Sequence, residues 1–107
     1  NKPVSKKGKG RRMFMEYYKS IVEKYRETAA FLSRKPLLYI ILSMGDDYGV
    51  VKRRYAKMVL KEKGISDLIK LGIVVEHYPD KTVLLKLTSK GEKIYRLLKE
   101  LHETLSE

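Results

Sequence analysis

Only one stretch of this chain reads as β-structure, and helical periodicity flanks it on both sides. Ile73-Val74-Val75-Glu76-His77-Tyr78 is β-branched, Pro79-Asp80-Lys81 is a turn, and Thr82-Val83-Leu84-Leu85-Lys86-Leu87 is a returning strand. A two-stranded ribbon of this size is marginal in water by itself and must pack on helices. The fold therefore has to be mainly α. At 107 residues there is room for one small domain, and 43% hydrophobic residues suffice to fill its core.

Phe14, Tyr18, Ile21, Tyr25, Thr28 and Leu32 recur at four- and three-residue steps, which predicts a helix over 13–34. Lys35-Pro36 ends it, because the residue before proline is pushed out of the α region. Pro36 then suits the first turn of a second helix, Leu37 to Met44. That helix is apolar almost all round and is expected to be central and buried. Gly45-Asp46-Asp47-Tyr48-Gly49 follows as a turn. Val50 to Leu71 reads as helical, with apolar positions at Val51, Tyr55, Met58, Val59, Ile65, Leu68 and Ile69. Gly64-Ile65-Ser66 resembles a helix end followed by an N-cap, yet the apolar phase runs on across Gly64. A break there and one long helix both fit. After the hairpin, Ser89 and Glu92 have capping-box spacing at the start of a last helix over 89–106. Its Ile94, Leu98, Leu101 and Leu105 form a narrow seam of the kind one helix offers another.

The formal charge of +11 is concentrated in two places. Residues 1–12 hold six basic side chains and no acidic one, and read as a flexible basic arm ahead of a single domain over 13–107. Residues 50–70 hold seven basic and two acidic side chains. Such patches suit a polyanion, since Lys and Arg placed on phosphates release condensed counterions. The longest apolar run, 36–44, is well under the roughly 18 residues of a membrane span, so no membrane partner is expected. Cysteine is absent, which removes disulfides and thiolate chemistry. His77 and His102 lie far apart and do not suggest a metal site. With no nucleophile–base pair, Gly-rich phosphate loop or carboxylate cluster, the chain reads as a non-enzyme without a cofactor. Gln and Trp are missing and Asn1 is the one asparagine, a composition that points to a thermophile host.

The order helix, helix, basic helical segment, hairpin, long helix carries two further signatures. Leu68-Ile69-Lys70-Leu71-Gly72-Ile73-Val74 resembles the "LxxLGLV" that ends a recognition helix and runs into a wing. Leu87-Thr88-Ser89-Lys90-Gly91 resembles the "LTxKG" that links a wing to the following helix, and Tyr48-Gly49 is similar to the PadR pattern. Over about residues 36–98 the chain resembles winged helix–turn–helix DNA-binding proteins of the PadR and MarR kind, including archaeal ones.

The resemblance implies a mainly α fold with a two-stranded hairpin, the wing, over 73–87, and long terminal dimerisation helices over 13–34 and 89–106. It implies a homodimer that reads a palindromic site in double-stranded DNA, most simply a cytoplasmic, nucleoid-associated transcriptional regulator. Winged-helix plasmid partition proteins, which bind a centromere-like site and spread, share the outline. A protein- or RNA-interaction module is the reading from another class. On the DNA reading, a supporting helix covers about Gly49–Arg54 and a recognition helix about Lys57–Leu71. Lys52, Arg53, Arg54, Lys57, Lys61 and Lys63 then face DNA, and Lys81 reaches a flanking phosphate from the hairpin tip. Arg11 and Arg12 would follow the backbone from the arm. Tyr55 is a further candidate contact, although its place on the apolar stripe favours the core. Phe14, Tyr18, Ile21 and Tyr25, with Ile94, Leu98, Leu101 and Leu105, would form the dimer interface. Proteins of this kind often bind small molecules at that interface, where Tyr17, Tyr18, Tyr25 and Tyr95 could line a pocket or simply fill the core.

Overall fold

A computed structural model describes residues 2–107, with side chains from Gly10 onward. The chain divides into two units after Ser33. The first consists of α1 (Lys2–Lys24) and α2 (Arg26–Leu32). Between them Tyr25 leaves the ideal helical angles, at φ −109° and ψ 17°. Helical i→i−4 bonds nonetheless run through the junction, from the Tyr25 N–H to Ile21 and from the Ala29 N–H to Tyr25, each 3.0 Å. The backbone of 2–12, expected as an arm, is helical. Pro3 falls in the first turn, where a missing N–H goes unnoticed. Asn1 lies outside the described residues.

The second unit runs through α3 (Lys35–Asp46), β1 (Val50–Lys52), α4 (Arg53–Lys70), β2 (Val74–His77), β3 (Leu84–Leu87) and α5 (Ser89–Leu105). Pro36 sits in the first turn of α3, whose Leu37, Ile40, Ile41 and Met44 are buried. α3 packs on α4, α5 and β3. Ala56, Leu60, Ile65 and Leu68 of α4 complete the core, with Ile73, Val74, Leu85 and Leu87 from the sheet and its approach. Burying a Leu or Ile side chain contributes about 1.5–3 kcal/mol, so this one cluster supplies most of the drive to fold the unit.

Three findings depart from the sequence reading. The sheet has three strands rather than two, in the order β1-β3-β2, all antiparallel. Val50 pairs with Lys86, Val51 with Leu85 and Lys52 with Leu84, so the segment expected to open a helix is a strand. The turn before it explains why. Tyr48 (φ 63°) and Gly49 (φ 79°) both take left-handed angles, and the Gly49 N–H reaches back to the Met44 carbonyl at 2.6 Å. This 6→1 bond is the Schellman closure of a helix, and it sends the β-branched Val50-Val51 out in extended form.

Secondly, α4 is two helices joined at a kink. Lys61 has φ 61° and ψ 176°, so neither expected boundary, Gly64 nor the region near Tyr55, is the break. Gly64 is buried inside the second half, and a Cβ there would lie 2.8 Å from that of Leu60. Of the expected stripe Ile65 and Leu68 are buried, but Ala56, Leu60 and Gly64 complete the buried face, leaving Tyr55, Met58 and Val59 exposed.

Thirdly, the N-cap of α5 is Thr88, not Ser89. The Thr88 hydroxyl accepts from the Gly91 N–H at 3.0 Å and donates to the Gly72 carbonyl. One side chain thus caps a helix and ties its start to the approach of β2. The contact is tight, since a Cβ on Gly91 would lie 2.1 Å from the Ile73 carbonyl oxygen, a backbone atom with no room to move. Gly91→Ala is therefore expected to destabilise the fold by about 1–3 kcal/mol, read as a lower thermal midpoint by circular dichroism; an unchanged midpoint would contradict this packing.

Candidate nucleic-acid interface

The left-handed turn and the three residues of β1 determine where α4 begins. The Arg53 N–H continues the ladder beyond β1, donating to the Val83 carbonyl at 2.9 Å. The first turn of α4 is thereby held against the tip of the β2–β3 hairpin. Between them lies an open groove of about 420 Å³ lined by Lys52, Arg53, Arg54, Lys57 and Lys81, with Thr82 and Val83. No carboxylate lines it. Cations from two chain segments some thirty residues apart are thus gathered at one place.

These cations are not equivalent. Arg53 faces two carboxylates: its Nη1 and Nη2 donate to Glu62 at 3.2 and 2.7 Å, and its Nε donates to Glu76 at 2.8 Å. Its side chain is only 26% exposed. Hydrogen bonds to these two carboxylates, Glu62 foremost, raise the guanidinium's pKa further. Lys57 also approaches Glu62, at 3.3 Å from its Oε2. Lys52, Arg54 and Lys81, by contrast, have no carboxylate at ion-pair distance among the described residues. Lys52 and Arg54 instead flank the half-exposed ring of Tyr55, at 5.7 and 5.0 Å from its centroid. The Arg54 Nη2 also donates to the Tyr55 hydroxyl at 3.3 Å. Tyr55, expected mainly as a core residue, belongs to the charged surface, where these cations lower its pKa.

The remaining candidates fall elsewhere. Lys61 is the kink residue and is exposed. Lys63 is exposed on the second half of α4 and lies 3.4 Å from Asp67, which Arg34 holds at 2.5 Å. Lys90 donates to the Leu71 carbonyl at 2.6 Å, where a cation suits the C-terminal end of a helix. Arg11 and Arg12 are exposed on α1, in the first unit. Of the expected interface residues, Phe14 and Tyr18 stack with centroids 6.1 Å apart and are over half exposed; Tyr25 is exposed and Ile21 half-buried. On α5, Ile94 and Leu98 are half-buried while Leu101 and Leu105 face solvent. Tyr95 lies flat against Gly45 and donates to Asp46. Sequence reasoning missed Thr82, Val83, Glu62 and Glu76. Glu62 stood among the basic residues as a charge to subtract and Glu76 stood in a strand, with nothing to mark either as a partner of Arg53.

Among the described residues, no group of His, Cys, Asp and Glu could hold a metal ion, and no helix is long and apolar enough to cross a membrane. The sequence matches no protein-family model and no curated protein.

Four carboxylates of the unit, Asp46, Glu62, Asp67 and Glu76, share one trend. Arg53, and after it Lys57, holds Glu62 far below its ordinary 4.5, at about 2. Arg34 lowers Asp67, Tyr78 and then Arg53 lower Glu76, and Tyr95 lowers Asp46. A carboxylate whose pKa is lower in the folded state contributes stability that is complete above its unfolded pKa. That stability is lost as pH falls through the folded value. Thermal stability should accordingly hold down to about pH 5 and decline steadily towards pH 2, with a shallower decline in Glu62→Gln. An acid profile identical in that variant would show that Glu62 is not held this way.

Proposed function

We propose that this chain is a sequence-specific, double-stranded DNA-binding protein of the winged helix–turn–helix kind. The observation that carries the reading is the acid-free groove in which Lys52 and Arg54 meet Lys81. Phosphate contacts from the start of one helix and from a hairpin tip position a protein on a duplex, leaving another helix to meet base edges. The order α3, β1, two helical halves of α4, then β2 and β3 supports this assignment. In it the second half of α4, residues 62–70, is the recognition helix and the hairpin is the wing. Lys63, Ser66 and Lys70 are then the side chains nearest the bases, and this helix is shorter than the one expected over 57–71.

A homodimer is part of the proposal. Each unit has an apolar helix face in solvent, Phe14 and Tyr18 on α1, and Leu97, Leu101 and Leu105 on α5. Faces of this kind favour association. Two-fold symmetry would set the recognition helices about one DNA turn (roughly 34 Å) apart, on an inverted repeat. A transcriptional regulator is the simplest role, located with the nucleoid. A second reading, a protein-docking module, is favoured by one observation: Met58 and Val59 stand 72% and 54% exposed beside the groove.

Selection of duplexes from a random pool, followed by titration against salt and DNA length, separates these readings. A shared palindrome with saturation at one site is the expected result. Loading that grows with DNA length would indicate a partition protein that spreads, and no preference for duplex over single strands would favour the docking module. Lys52→Ala, Arg54→Ala and Lys81→Ala should each reduce the slope of log affinity against log salt by about 0.9, as for one lost phosphate contact. Unchanged slopes in all three would overturn the groove as the phosphate site.

A further inference from the structure

The kink in α4 needs something to hold it. Lys61, at φ 61° and ψ 176°, occupies a region that is essentially reserved for glycine, at a penalty of about 1–3 kcal/mol for a residue with a side chain. A lysine here would relax into the helical form its propensity favours, straightening α4, unless contacts elsewhere prevented it. Buried Ala56 and Leu60 before the bend and Ile65 and Leu68 after it fix each half in the core, and the polar contacts that cross the bend centre on Arg53. Its fork grips Glu62, the residue immediately past the kink, with two hydrogen bonds, while its Nε donates to Glu76 on β2. Tyr78 steadies Glu76 from the far side at 2.7 Å. One guanidinium therefore joins the start of α4, the start of its second half and the hairpin.

We propose that Arg53 is a positioning residue: by gripping Glu62 and Glu76 together it maintains the Lys61 kink and sets the second half of α4 against the hairpin, and it does not itself contact the polyanion. This rests on the DNA reading only for its consequence in binding; the clamp itself is tested without DNA. Arginine suits the task because its planar fork can serve both carboxylates at once, whereas a lysine ammonium supplies charge without that geometry.

The clamp predicts coupling between positions 53 and 61. Lys61→Gly relieves the backbone strain and should raise the thermal midpoint of the otherwise unchanged protein. In an Arg53→Gln background the strain has already relaxed, so Lys61→Gly should raise the midpoint clearly less. Equal shifts in the two backgrounds would overturn the clamp. Arg53→Lys is the second variant if Arg53→Gln fails to fold, with the same coupling expected because the fork is lost and the charge kept.

For binding, the probe is the duplex recovered by selection, with a random-sequence duplex as control, followed across salt concentrations. Arg53→Lys and Arg53→Gln should weaken binding by about tenfold with the salt slope unchanged. A slope reduced by about 0.9 in Arg53→Gln would make Arg53 a phosphate contact and refute the positioning role. Absence of duplex binding by the unsubstituted protein would refute the DNA reading instead, while the coupling between positions 53 and 61 would still decide the clamp.

Discussion

The pairing of Val50–Lys52 with β3 is the constraint on which the rest of the second unit depends. Without β1, β3 would present an unpaired edge, and the chain leaving the Tyr48-Gly49 turn would have no fixed direction. With it, the ladder carries on to the bond between the Arg53 N–H and the Val83 carbonyl, and α4 can start nowhere but beside the hairpin tip. The strand is three residues long and draws little stability from its own hydrogen bonds. Its effect comes from direction. It turns the backbone after the Schellman closure at Gly49 and puts Lys52, Arg54 and Lys57 along one wall of a groove whose other wall carries Lys81.

Charge in this groove is divided between two jobs. Arg53 is partly buried between two acceptors, and its removal would leave Glu62 with Lys57 alone and Glu76 with only the Tyr78 hydroxyl. Lys52, Arg54 and Lys81 are exposed and meet no carboxylate among the described residues, so an incoming anion would exchange hydration and counterions rather than an ion pair. A count of positive side chains in the sequence treats all of them alike. The distinction arises from which lysines and arginines meet a carboxylate after folding, and that requires β2 and the two halves of α4 to converge.

The hairpin, α3 and α5 were legible because their signals are local. Val74, Val75, Leu84 and Leu85 are β-branched or apolar around a Pro-Asp turn, and Pro36 opens α3. The basic segment as a candidate surface was legible too, since charge density needs no geometry. Its internal structure was not. Ala56, Leu60, Gly64 and Leu68 keep a four-residue period straight through the kink, so periodicity hides the break at Lys61. Tyr55 was drawn towards the core by its hydrophobicity, whereas its place beside Lys52 and Arg54 depends on the true start of α4. The cap of α5 moved by one residue because Thr88, unlike Ser89, is also within reach of the Gly72 carbonyl.

By itself the amino-acid sequence determined that α3 is apolar and central, that a hairpin over 73–87 precedes the last helix, and that positive charge collects between α3 and that hairpin. These follow from side-chain chemistry and short-range stereochemistry, which act within a few residues. Tertiary structure alone decided that Val50–Lys52 is a strand, that α4 bends at Lys61, and that Arg53 turns inward while Arg54 stays in solvent. Each of those outcomes sets a local preference against partners elsewhere in the chain, from Glu62, nine residues past Arg53, to β3, more than thirty residues past β1. Hydrogen-bond satisfaction and charge pairing across such distances exist only once the chain has closed on itself.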